Sequence, residues 1–186
     1  MVYDIDMKNI IRSIATVFLL VPTIARAAPP SFQSGAPLAG DVTWSPGVGT
    51  NPVVIEKLEE AWVEWEQISK GKLRVSMISS GSPRLVFHCS DKFPIGKLDG
   101  TDITVGDDVN FELRHVNLSE SICSDPSRII MLHAVGHALG WDNDPVGDNR
   151  VMSSDTSWMS GPAGDRGFTE HDVLEFSSWY LKSSAH

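Results

Sequence analysis

Cysteine is scarce in this chain: two in 186 residues, Cys89 and Cys123, with no Cys-x-x-Cys pair. That excludes a thiolate metal cluster and a multiply cross-linked small scaffold. Basic residues are outnumbered, with 15 Lys and Arg against 24 Asp and Glu and a formal charge of −9. Phosphate backbones and anionic membranes are held by clustered cations, so neither nucleic acid nor a membrane surface is an expected partner. No apolar run is long enough to span a bilayer; the longest, Ile14 to Val21, falls well short. Internal repeats are absent.

What is present begins with an export pattern. Residues 7–27 read as a secretory signal. Lys8 and Arg12 form its positive start, Ile14 to Val21 its apolar centre, and Ala25-Arg26-Ala27 its small-x-small cleavage site. Asp4 and Asp6 suit such a start badly, so translation from Met7 is plausible. The mature chain would begin at Ala28. Residues 28–40, rich in Pro, Gly, Ser and Ala, read as an extended segment, and 41–186 as one domain. A secreted or periplasmic chain with two cysteines is expected to bond them.

Short strands are expected at Asp41–Trp44, Leu73–Ser79, Arg84–Cys89, Ile103–Val105 and Phe111–Val116, with a turn at Gly81-Ser82-Pro83. Pro52–Ser69 carries Ile55, Leu58, Ala61, Trp62, Trp65 and Ile68 at helical spacing, with glutamates between. That is an amphipathic helix, its Trp pair core and its acids a solvated face. His88 and His115 read as partly exposed strand residues. Asn117-Leu118-Ser119 is a glycosylation sequon, meaningful in a eukaryotic host.

The most informative stretch is Met131-Leu-His-Ala-Val-Gly-His-Ala-Leu-Gly140. His133 and His137 are four apart, so on a helix both imidazoles face one point, and could meet a zinc ion at roughly 2.0–2.1 Å. The surrounding residues are apolar on every side, as in a buried helix. Ser124-Asp125-Pro126 supplies a starting cap and Gly140 a left-handed stop. A chain that doubles back after Gly140 could bring a third ligand from Asp142, Asn143 or Asp144. The rival reading is a histidine pair that packs without metal.

These residues resemble the metzincin zinc metallopeptidases, matrixin-like branch, whose signature is H-E-x-x-H-x-x-G-x-x-H/D followed by a methionine turn. Here the segment runs His133-Ala134-Val135-Gly136-His137-Ala138-Leu139-Gly140-Trp141-Asp142-Asn143, with Val151-Met152-Ser153-Ser154 at the turn. Phe168-Thr-Glu-His-Asp172-Val-Leu through Trp179-Tyr180-Leu181 resembles the family's last helix. The resemblance implies an α+β, zincin-like domain. Its mixed, twisted sheet would carry an N-terminal helix, a central zinc-binding helix and a C-terminal helix. It implies Zn²⁺ on His133, His137 and either Asn143 or Asp144, with Met152 beneath. It implies a monomeric peptidase acting on a peptide or protein laid along a sheet edge. Ala134 stands where the family has its general-base glutamate. A positioned base contributes about 10²–10⁴-fold, so hydrolysis is expected to be impaired or absent. Asp142, Asp144 and Asp148 are a candidate Ca²⁺ turn. Three readings stand open: an impaired zinc peptidase, a non-catalytic peptide- or protein-binding module, and a structural protein.

Overall fold

A computed structural model describes residues 38–47, 49–89, 103–107, 113–141, 150–153 and 166–183. The leader, most of the extended segment, Asp142, Asn143, Asp144, Asp148 and Ser154 lie outside the described residues.

Among these residues five strands form one mixed sheet: β1 (Gly40–Pro46), β2 (Leu73–Met77), β3 (Leu85–Cys89), β4 (Ile103–Asp107) and β5 (Arg114–Leu118). Their order is β2-β1-β3-β5-β4, with β4 antiparallel to β5 and every other pair parallel. The Gly81–Pro83 turn therefore does not make neighbours of β2 and β3. The chain crosses from one side of β1 to the other, and β1, β3 and β5 fill the middle. Among the described residues four helices accompany the sheet: α1 (Pro52–Ile68), α2 (Glu120–Ser124), α3 (Arg128–Leu139) and α4 (Glu170–Ser183). The α+β class, mixed sheet and terminal helices are as expected.

α1 starts where Asn51 accepts from the Val54 N–H and Pro52 occupies the first turn. Its buried face is Val54, Leu58, Ala61, Trp62 and Trp65, while Ile55 and Ile68 only flank the core. The core joins this face to Trp44, Leu85, Phe87, Val116 and Leu118 of the sheet and to α3. Trp65 is its hub, edge-on to Trp141, Phe168 and Phe176 at 5.8, 4.7 and 4.7 Å.

Cys89 and Cys123 are bonded, 34 residues apart in sequence, tying the end of β3 to α2. A closed loop of this size stabilises by about 3–4 kcal/mol in the chain-entropy account. Asn51 also donates to the Cys123 carbonyl at 2.9 Å, so α1 is fixed to the same point.

A buried histidine pair and the edge of β4

α3 begins later than Ser124-Asp125-Pro126 suggests. Ser124 closes α2, and Ser127 caps α3 by accepting from the Ile130 N–H. Proline disfavours helical backbone in the residue before it, which separates the two helices at Asp125. From Met131 to Leu139 every residue of α3 is buried, as its all-round apolarity requires. Gly140 adopts φ 97° and ends the helix, its N–H reaching the carbonyls of Gly136 and His137.

His133 and His137 do converge. Their Nε2 atoms lie 2.9 Å apart with the rings nearly perpendicular. The other nitrogen of each ring meets a carbonyl oxygen: His133 Nδ1 donates to Val151 at 2.6 Å, and His137 Nδ1 to Trp141 at 2.9 Å. A carbonyl only accepts, so both contacts call for a proton on Nδ1. Two neutral imidazoles carry two protons for three contacts, and the pair is one proton short at its centre. Burial opposes supplying it by protonation. Desolvation, then the neighbouring His137, lowers His133 to about 3, against a weaker upward pull from its Val151 hydrogen bond.

Met152 is buried against α3 at Gly136. A methyl on Gly136 would sit 2.2 Å from the Met152 sulfur. Asp172 of α4 holds this turn by accepting from the Val151 N–H at 3.2 Å. Ala134 is fully buried in the core.

Two imidazoles are not a metal site. Zinc takes at least three protein ligands. Among the described residues, no group of three His, Cys, Asp or Glu side chains is placed to hold an ion. Asn143 and Asp144, the expected third ligands, lie outside the described residues. The zinc reading is corrected on this ground, and with it the metzincin assignment, the zincin label for the fold and the peptidase activity. The Ca²⁺ reading of the Asp142–Asp148 turn is corrected likewise. Against known families and characterised proteins the chain finds no match: no family model fits it and no curated protein is similar to it.

Beside the pair lies the outer strand of the sheet. β4 is antiparallel, and among the described residues it pairs only with β5. A small cleft between β4 and the end of α3 is lined by Val105, Gly106, Asp107, His137 and Trp141. Arg114 fixes its walls. This buried guanidinium holds both oxygens of Asp107, at 2.6 and 3.2 Å, and donates to the Ala138 carbonyl at 2.9 Å. One side chain thus locks the end of β4 to β5 and to α3. Arg114 and Asp107 are direct cross-strand partners, which becomes visible only once the register is known.

The opposite sheet face holds a second histidine pair. His88 Nε2 and His115 Nδ1 are 3.0 Å apart and the rings stack. His88 is buried rather than partly exposed, and desolvation, then His115, lowers its pKa. Asn117, the register partner of His88, is also buried, its amide without a hydrogen-bond partner. The sequon asparagine is therefore inaccessible to a glycosyltransferase once the chain has folded.

Proposed function

We propose that this protein is an exported, single-domain, monomeric binding module that takes an extended peptide along the outer edge of β4, beside the His133–His137 pair. The observation that carries the reading is the edge itself. Among the described residues β4 is paired with a strand on one side only, and proteins that avoid pairing at such an edge blunt it with Lys, Pro or a bulge. β4 reads Ile-Thr-Val-Gly-Asp and contains neither Lys nor Pro. Gly106 permits close approach of another backbone. The cleft toward His137 and Trp141 holds about 10 Å³, room for one water, so the added strand is held through its backbone. Arg114 holds the strand rigid, which lowers the ordering cost of binding. The leader pattern and the Cys89–Cys123 bond support export. No helix among the described residues is long and apolar enough to cross a membrane.

The test is selection from a displayed library of random ten-residue peptides, followed by calorimetry. Enriched peptides should bind, and Gly106→Val should weaken them by at least about tenfold, roughly 1.4 kcal/mol. Circular dichroism checks that the variant is folded. Failure to enrich any peptide, or equal binding to the variant, overturns the proposal. A structural domain in which the histidine pair only packs is the second reading. The complete burial of His133 favours it, and it expects no enrichment.

A further inference from the structure

At the other edge of the sheet, between α1 and β2, lies a cavity of about 280 Å³. Trp44, Trp62 and Val75 form its apolar wall, and Val63 and Met77 stand at its rim, 51% and 45% exposed. Glu59 and Glu66 line it as well. Glu66 is held in place by accepting the Val75 N–H. The other glutamates of α1 with cationic partners are Glu60, paired with Lys57, and Glu64, paired with Arg128. Among the described residues Glu59 and Glu66 have no such partner. The buried Trp62 indole N–H has no acceptor and, being a donor, gains none from a cation, so it serves only as a reporter of the cavity wall.

We propose that this cavity binds a small organic cation with an alkyl stem, an alkylammonium or alkylguanidinium. Its stem lies on the Trp44, Trp62, Val75 and Met77 wall, and its head faces Glu59 and Glu66. Charge selects the occupant: an anion is repelled, and a neutral apolar molecule leaves both carboxylates unused. Size selects it too. The volume is at the lower end of small-molecule sites, roughly 300–1,000 Å³, and has room for one chain and head group. The site lies at the opposite sheet edge from β4 and does not depend on peptide binding there.

The experiment follows the Trp62 indole N–H by nitrogen-15 NMR, identified by its loss in Trp62→Phe. The titrant is butylguanidinium, with butylurea as a neutral molecule of the same shape. A partly exposed charge pair is worth up to about fivefold in affinity. Butylguanidinium should therefore give a saturable shift and bind at least about fivefold more tightly than butylurea, since two carboxylates act together. Glu59→Gln, on the exposed face of α1, should weaken it by at least about threefold. Glu66→Gln should do the same if the Val75 contact survives, which the Val75 amide signal reports. No saturable shift, equal binding of butylurea, or unchanged affinity in Glu59→Gln overturns the proposal.

Discussion

A methyl group on Gly136 would meet the Met152 sulfur at 2.2 Å and Trp65 Cζ2 at 3.1 Å. Alanine improves helix propensity by about 1 kcal/mol over glycine. Overpacking a filled core costs about 1–3 kcal/mol, and here both neighbours are buried, one of them a rigid indole. Gly136→Ala should lower stability by about 1–2 kcal/mol in urea titration, and adding Met152→Ala should recover little, because that change opens its own cavity. His133 gives a pH signature. Its folded pKa lies near 3, below its ordinary 6.5. The unfolded chain therefore binds the proton more readily between those values. The stability from this residue is complete above about pH 6.5 and is lost as pH falls toward about 3, at up to about 1.4 kcal/mol per unit. Carboxylates contribute in the same range, so the comparison is with His133→Asn, whose urea midpoint should fall less between pH 7 and 4.5. At this scale the sequence is legible where spacing alone brings atoms together, as for His133 with His137. Arg114 with Asp107 and His88 with His115 are pairs across strands, and no local pattern announces them.

Elements were legible in proportion to their own chemistry. α1 is legible by its periodicity: Leu58, Ala61, Trp62 and Trp65 are buried as that spacing requires, Val54 joins them, and Ile55 and Ile68 only flank the core. Asn51 does two things, capping the Val54 N–H and donating to the Cys123 carbonyl. Asn51→Ala should cost about 1–2 kcal/mol, read as a lowered thermal midpoint, with Asn51→Ser restoring the cap alone and hence part of the loss. β5 extends past its expected end to Leu118 because Asn117 and Leu118 pair with β3 and β4. A sequon reads as a loop signal, and here register overrides it. Strand positions were readable from β-branched and aromatic runs, whereas their order was not. Parallel pairing of β1 with both β2 and β3 is set by long-range contacts, which the local pattern does not encode.

At the scale of the whole molecule, the α+β class, the secured disulfide and the acid-rich surface follow from composition and spacing. The functional reading from the histidine frame does not survive, because a metal site needs a third ligand and the described residues supply none. Dialysis against a chelator should accordingly leave the thermal midpoint unchanged, and elemental analysis should find far less than one zinc per chain. A stoichiometric ion, or a midpoint that drops on chelation, contradicts the correction. Among the described residues the sheet ends in two outer strands, β4 and β2, and β4 is the antiparallel one, uncharged along most of its length. β2, at the other edge, carries Arg74 and parallel pairing.

Amide hydrogen exchange with a selected peptide bound tests that assignment most directly, because strand addition hydrogen-bonds the edge backbone itself. The account predicts slowed exchange within Thr104–Asp107 and unchanged exchange in Leu73–Met77. Unchanged exchange in β4, or protection confined to β2, would contradict it.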